Sequence, residues 1–527
     1  MSLPKLRNSY ALVLALAAAF SLQFVWFEWM VPSRTANACE WTNVNSTSQT
    51  NVLLVADPQL IDNHTYPGRS APLLKLSQHT VDKYVAQNYR AMVESLQPDY
   101  IFFLGDYLDN GRSASDAYFD HEVRRFWRIF DRWPAKYEHR KNWFTNVPGN
   151  HDIGFGNGVK EHSRQRFEAV FGESNVVVEA GGVDFVILDT PSYSAENGLN
   201  EPSRKFVAGL KDANGEVVAR DLEALADSTS VQSSGDSATS QTTESADSSL
   251  AAALMSPDYQ TGESTSHRRP RILLSHVPLY RDTSKLKCGP LRESSVFLQN
   301  KGYQYQSSLL PQISQEILES VRPVVAFSGD DHDYCDVTHP LTNTREITVK
   351  SISMAMGIWR PAVQLLSFDT SQSSSPDQLA YDTHMCYLPR PYHNIVVYAI
   401  TATAIATLLL FHSLRLRPSR YNYSILPTYG QEYSESSAVL MENPMSRKVS
   451  NFLKEQDEGT SSSSIPLPAY TSTATRSTSE KVVAKYKYVK LAVRRFIRKW
   501  NLTLFLRLCI LEFSFVMLGY FVVVTAI

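Results

Sequence analysis

The sequence predicts an α/β protein: a sandwich of mixed, largely parallel sheets on a chain with three membrane-spanning helices. Three observations carry this reading. Short apolar runs alternate with stretches of helical periodicity between residues 51 and 147, the order that lays parallel strands side by side under helices. Five apolar runs end in side chains able to bind a metal, and ligands bind at the carboxyl ends of strands in open α/β sheets. Three longer apolar runs, at about 10–31, 395–411 and 502–527, approach the ~20 residues needed to cross a bilayer.

Taken in order, residues 51–56 form a continuous apolar run, read as a buried strand ending in Asp57-Pro58-Gln59. Val81, Tyr84, Val85, Tyr89, Met92, Val93 and Leu96 recur at helical spacing and predict an amphipathic helix over 77–96. Residues 100–104 are the next strand, ending in Gly105-Asp106, and a second helix is expected over about 116–133. The strand 143–147 stops at Pro148-Gly149, and Asn150, His151 and Asp152 follow at once. Residues 165–171 continue as helix. Residues 176–178 and 183–188, joined through Gly181-Gly182, read as a hairpin. The Ser/Thr-rich stretch 212–267 has few large apolar residues and is expected to be a disordered insertion. A strand at 271–275 runs into His276, a helix covers 309–321, and a strand at 323–327 precedes Gly329-Asp330-Asp331-His332. Closing strands are expected over 347–369, and 434–480 is polar and Ser-rich.

Flanking charge orients the three spans. Lys5 and Arg7 precede the first; Arg415, Arg417 and Arg420 follow the second; a basic run at 485–499 precedes the third. The excess of positive charge marks the cytosolic side. The expected organisation is a cytosolic N-terminus (1–9), a span (10–31), a lumenal or extracellular domain (33–392), a span (395–411), a cytosolic segment (413–500) and a last span (502–527). Ala36-Asn37-Ala38 also resembles a signal-peptide cleavage site. Against cleavage, the apolar run exceeds the ~7–15 residues of a signal core and carries Trp26, Phe27 and Trp29. A net charge of -2 and pI near 6.7 argue against a nucleic-acid partner. Cys39, Cys288, Cys335 and Cys386 all fall in the expected lumenal part, where two disulfides in any of three pairings are possible. Asn45-Ser46-Thr47 and Asn63-His64-Thr65 would be glycosylation acceptors there, whereas Asn422-Tyr423-Ser424 would be cytosolic.

The strand ends collect Asp57, Gln59, Asp106, Asn150, His151, His276, Asp330 and His332. A lone Asp after a strand is ordinarily a turn or a helix cap. Five such ends together match the inventory of a two-metal hydrolase, in which paired cations clamp the attacking and leaving oxygens of an in-line displacement. Asp106 is the expected bridging carboxylate. Asp57, Gln59 and His332 are expected to serve one metal, and Asn150, His276 and Asp330 the other. His151 is the candidate general acid, and Asp152 is expected to orient its imidazole. Oxygen ligands dominate this set, which suits manganese over zinc.

Asp57-Pro58-Gln59, Gly105-Asp106, Gly149-Asn150-His151-Asp152, Ser275-His276 and Gly329-Asp330-Asp331-His332 resemble the five blocks of the calcineurin-like metallophosphoesterases. That family usually has His where Gln59 and Asp330 stand here. The resemblance implies a metallophosphoesterase-type sandwich. The runs 149–155 (GNHDIGF), 276–281 (HVPLYR), 292–295 (RESS), 329–335 (GDDHDYC) and 348–361 (TVKSISMAMGIWRP) are similar to a narrower family. Its members are membrane-bound phosphoesterases of the endoplasmic reticulum that remodel glycosylphosphatidylinositol (GPI) anchors. That likeness implies two divalent ions, Mn2+, and hydrolysis of the phosphodiester joining ethanolamine to a mannose of the GPI glycan. It also implies a GPI glycolipid or GPI-anchored protein as partner. Competing readings are a lumenal protein or lipid phosphatase of the same fold, and a degenerate phosphoesterase acting as membrane scaffold or cation sensor. Glu512, deep in the third span, has no role in any of these.

Overall fold

The computed structural model describes residues 3–44, 48–131, 136–212, 269–294, 297, 299–302, 304–371, 378–416, 486, 490 and 501–526. The expected insertion at 212–267 lies outside the described residues from 213 onward, as do nearly all of the segment 417–500 and the acceptor Asn45. The chain divides into two compact units, Met1–Ala17 with Ala402–Phe515, and Ala18–Thr401 with Val516–Ile527. In the first, Ser9 Oγ meets His412 Nε2 at 2.9 Å. Glu512 is buried there with neither carboxylate oxygen hydrogen-bonded, and nothing in the structure explains it. The sheets, the site and the cavities described below lie in the second unit.

Among the described residues, thirteen strands run in chain order: β1 Thr50–Val55, β2 Tyr100–Phe103, β3 Trp143–Phe144, β4 Val176–Ala180, β5 Val183–Ile187, β6 Arg271–Leu274, β7 Lys301–Gly302, β8 Tyr305–Gln306, β9 Val325–Ser328, β10 Cys335–His339, β11 Thr344–Thr348, β12 Ala362–Asp369 and β13 Ala380–Tyr387. One sheet has the order β13-β12-β1-β2-β3 and another β10-β11-β9-β6-β5-β4; β7 and β8 make a small hairpin. β1, β2 and β3 are mutually parallel, as are β5, β6, β9 and β11. Antiparallel strands flank both parallel sets. The arrangement is the mixed, largely parallel sandwich the sequence predicts.

Strand alternation builds two layers of core. Val52, Leu54, Phe102, Phe185, Ile272 and Leu274 pack between the sheets. Phe102 stacks on Phe144 at 4.7 Å and on Phe185 of the facing sheet at 4.6 Å, geometry that adds to area burial. The alternate residues Leu53, Val55, Ile101 and Phe103 face the helices Ala71–Leu96 and Asp116–Phe130. Leu273 and Ala326 face the helix Pro311–Val321 on the other side. Successive strand residues point to opposite faces, so one apolar run supplies both layers.

Some boundaries differ from expectation. The helix begins at Ala71, not 77, because its first two turns are largely exposed and carry no periodic signal. The strand expected over 143–147 pairs only at Trp143–Phe144; Thr145–Pro148 continues unpaired into the site. The helix Glu201–Asp212 and strands β10 and β13 lie outside the elements expected from the sequence. Among the described residues, three helices are long and apolar enough to cross a membrane: Arg7–Ala36, Pro391–Arg415 and Leu502–Val522. A π-helical turn, Trp26–Met30, interrupts the first.

Of the three possible cysteine pairings, the structure selects Cys39–Cys386 and Cys288–Cys335. The second closes 47 residues of chain separation, and loop-closure entropy gives it about 4 kcal/mol. A Cys288→Ala/Cys335→Ala double variant is expected to lose about 2–4 kcal/mol of stability, read as an earlier denaturant midpoint at unchanged slope.

Candidate metal centre

The carboxyl ends of β1, β2, β3, β6 and β9 converge between the two sheets, and each delivers expected site residues. The backbone there is unusual. Among the described residues, ten non-glycine residues adopt positive φ, and five are Asp57, Gln59, Asp106, Asp330 and His332. Left-handed backbone is costly for residues with a Cβ and persists where surrounding structure imposes it, often at functional sites.

Close packing imposes it here. A Cβ added to Gly149 would lie 2.0 Å from Asp106 Oδ1, and one on Gly105 would lie 2.5 Å from His276 Nδ1. Both glycines let backbone approach where any side chain would collide. The His151 backbone N–H donates to Asp106 Oδ1 at 2.9 Å.

Asp57, Asp106 and His332 each offer a ligand atom within 4.8 Å of the others, and so do Asp106, His276 and Asp330. Asp106 is common to both clusters. His276 is fully buried, and its Nδ1–H donates to the Leu104 carbonyl at 2.7 Å. That bond fixes the tautomer and leaves Nε2 facing Asp106 Oδ1 (3.3 Å), Asn150 Oδ1 (3.3 Å) and Asp330 Oδ1 (3.5 Å). Asp57 Oδ1 accepts the Asp330 N–H at 3.0 Å, while the buried Oδ2 has no hydrogen-bond donor. Gln59 Nε2 donates to Asp109 Oδ1 at 3.0 Å and contacts His151 Nε2 at 3.2 Å, and its buried Oε1 is likewise without a donor. Two such oxygens beside a carboxylate–imidazole cluster leave room for a cation. The donor set and these two oxygens fit divalent cations.

Protonation tells the same story. Burial alone would raise the Asp106 pKa, but the charges of His276 and His151 hold it well below the ordinary range. Burial raises the Asp57 carboxyl well above its ordinary value, against the pull of His276. Burial opposes the charged form of His276, yet Asp106 and Asp330 outweigh it and raise its pKa. Without cations the cluster has to bind protons; a divalent ion inverts that balance.

His151 Nδ1 lies 2.6 Å from the Asp109 carbonyl, which can only accept, so Nδ1 carries hydrogen. The expected role of Asp152 is corrected. Its carboxylate accepts the backbone N–H groups of Tyr107, Leu108 and Gly149 and does not touch the imidazole. Burial, then the Asp106 charge, push it to about 7. It fastens the strand β2 end to the 149–152 turn, and Asp109 is the residue that orients His151. Asp109 escaped sequence reasoning, although its place three residues after Asp106, on the same loop, was available as a signal. Its Oδ2 also accepts from Thr65 Oγ1 at 2.8 Å, tying in the loop that carries the exposed Asn63.

Glu346 on β11 was also missed. Fully buried, it accepts the Leu279 N–H at 2.9 Å and the Ser328 hydroxyl at 2.9 Å, and pairs with His339 at 2.9 Å and Arg281 at 3.1 Å. It thereby joins the segment after His276 to the strand before Asp330. Beside His332 a cleft of about 370 Å³ is lined by Arg292, Asp331, Met356 and Trp359.

Fold and site together define a metal-dependent phosphoesterase. The calcineurin-like phosphoesterase family profile matches residues 50–334, and the chain belongs to that family. It is 33% identical to Cell division control protein 1 of Saccharomyces cerevisiae, over 81% of this chain and 79% of that protein. It is 24% identical to Metallophosphoesterase 1 of Gallus gallus over 79% of this chain and 94% of the relative. Against Metallophosphoesterase 1 of Ailuropoda melanoleuca the identity is 26%, covering 79% and 93% respectively.

Glu346 supplies a pH test. Burial disfavours its charge, but Arg281 and His339 overcome this and hold its pKa at about 2, against an ordinary 4.5. A depressed carboxylate stabilises the fold above its unfolded value and loses that contribution as pH falls through its folded value. Glu346→Gln should therefore cost about 3 kcal/mol near neutrality. The gap to wild type should close between pH 4.5 and about 2, measured by chemical denaturation across pH.

Proposed function

We propose that the protein is a two-metal phosphodiesterase that removes ethanolamine phosphate from a mannose of the GPI glycan. It would act at the endoplasmic-reticulum membrane with the phosphoesterase domain on the lumenal side. The observation that carries the reaction type is the pair of clusters sharing Asp106. Asp57, Gln59 and His332 would hold one ion, and Asn150, His276 and Asp330 the other, with Asp106 between. Supporting the substrate are the likeness of the strand-end motifs to GPI-remodelling phosphoesterases and the three apolar helices, which would keep the site near a lipid-linked glycan. Two disulfides fit an oxidising lumen.

When bound, the cations supply Lewis-acid charge to the phosphoryl oxygens. His151 does the proton work. As a water oxygen bonds to phosphorus and the P–O bond to mannose breaks, the Nδ1–H of His151 would stay on the Asp109 carbonyl and a proton on Nε2 would pass to the departing mannose oxygen, leaving the imidazole neutral. Asp109 keeps Nε2 aimed, and its bond to Gln59 holds that amide with Oε1 turned to the centre. The cleft beside His332 would accept the diester.

The deciding experiment offers the purified protein a mannose–phosphoethanolamine diester. Release of ethanolamine phosphate, together with an extra ethanolamine phosphate on GPI glycans of cells lacking the protein, is the expected result. Release of inorganic phosphate from phosphoproteins, with no change in the glycans, would point to a phosphatase instead.

His151→Ala should keep its metal by elemental analysis and lose roughly 10²–10⁴-fold in turnover; a metal-free variant would make His151 a ligand. Reverting Gln59→His and Asp330→His together adds imidazole to both sites and should raise zinc occupancy at the expense of manganese. Titrating stripped wild type and double variant with Mn2+ and Zn2+, reading metal content and activity, checks the order of preference.

A further inference from the structure

A second cavity, of about 480 Å³, lies apart from the metal clusters. Its walls come from the first candidate span (Phe27, Glu28), the helix Ala71–Leu96 (His79, Lys83), the start of Pro391–Arg415 (Tyr398) and the end of the last helix (Tyr520). The volume falls within the range of small-molecule sites. Two opposite charges meet inside it. Lys83 Nζ lies 3.3 Å from Glu28 Oε2, with side chains only 11% and 16% exposed.

Glu28 is engaged on both oxygens, but the Lys83 charge is not fully served by the protein. Glu28 accepts the Tyr398 hydroxyl at 2.7 Å on its other oxygen. The Lys83 ammonium sits over the Tyr520 ring, 4.3 Å from its centre, and makes no hydrogen bond among the described residues, although it has three donors. Burial lowers its pKa, and the Glu28 charge works against that. The Tyr520 hydroxyl meets His79 Nε2. Ionisable residues at membrane depth are expensive and mark ligand paths. Glu28 sits in the π-helical turn Trp26–Met30, an interruption that recurs at functional sites.

We propose that this cavity binds the headgroup of a zwitterionic glycerophospholipid from the surrounding leaflet. The phosphate would take the idle donors of Lys83, with His79 beside it. The ligand ammonium would take Glu28 and the faces of Phe27, Tyr398 and Tyr520, the carboxylate-and-ring setting that favours a cation. Acyl chains would follow the apolar wall toward the bilayer. The charges decide the lipid class: Lys83 and Glu28 cancel one for one, so a purely anionic head would meet an unanswered carboxylate. The site stands independently of the hydrolytic reading. Met354, on the segment that continues to Met356 and Trp359 at the metal-side cleft, also lines it.

The test uses full-length protein in nanodiscs of phosphatidylethanolamine mixed with phosphatidylglycerol, with retained lipid counted by native mass spectrometry. Wild type should hold one phosphatidylethanolamine per chain, at least tenfold over phosphatidylglycerol. Lys83→Met and Glu28→Gln should each lower that occupancy at least tenfold. Lys83→Arg should keep it. Leu76→Trp, at a cavity-lining position, should displace the lipid while sparing both charges. An unchanged circular-dichroism spectrum and melting temperature in each variant show that the protein is folded. Wild type that retains no lipid, equal retention of the anionic lipid, or unchanged occupancy in both Lys83→Met and Leu76→Trp would overturn the proposal.

Discussion

The crowding around the Asp106 carboxylate is the constraint on which the rest of the site depends. Gly149 lies so close that any β-carbon would overlap Asp106 Oδ1, and the same oxygen accepts the His151 N–H. His276 Nε2 stands 3.3 Å away. One side chain thus fixes the relative positions of three strand ends from two different sheets. The left-handed backbone at Asp57, Gln59, Asp106, Asp330 and His332 follows from the same demand. Each strand has to turn sharply to present its side chain inward, and the packed sheets beneath hold the turn in place.

Around this centre the protein spends buried charge on positioning. Asp152 ties two site loops together through three backbone N–H groups. Glu346 does the same for the segments bearing His276 and Asp330. Lys350, fully buried, joins Glu293 at 2.7 Å and Asp333 at 3.0 Å, and Glu293 in turn accepts the Trp359 N–H at 2.6 Å. Removing one partner of such a pair is costly because the other charge is left unanswered in the interior. The cleft beside His332 is therefore framed by loops whose backbone is pinned by buried ion pairs, which makes its rim preorganised.

The same physics separates the two cavities. The metal centre gathers acidic oxygens with few cationic partners, a composition that fits divalent cations. The cavity beside Glu28 and Lys83 has balanced charge in an apolar wall, a composition suited to a ligand that is itself neutral overall. Both lie in one compact unit that also includes the ends of the spanning helices.

What the sequence by itself determined was the order of the sheet-forming runs, the three apolar spans and the residues at the strand ends. These are local signals: apolar period, span length, and a ligand-type residue directly after a run. The family motifs that carry Asp57, Asp106, Asn150, His276 and His332 are contiguous blocks of the same kind. Only the tertiary structure decided the rest. It chose the pairing Cys39–Cys386 and Cys288–Cys335, because closure depends on which segments meet across the fold. It moved the task of orienting His151 from adjacent Asp152 to Asp109, because the turn at 149–153 points successive side chains in different directions. It revealed Glu346, which reaches back 67 residues to the Leu279 N–H, and the Lys83–Glu28 pair, whose members lie on separate elements. Such contacts leave no mark in a local pattern, since it is the packing of sheets and helices that brings their charges within reach.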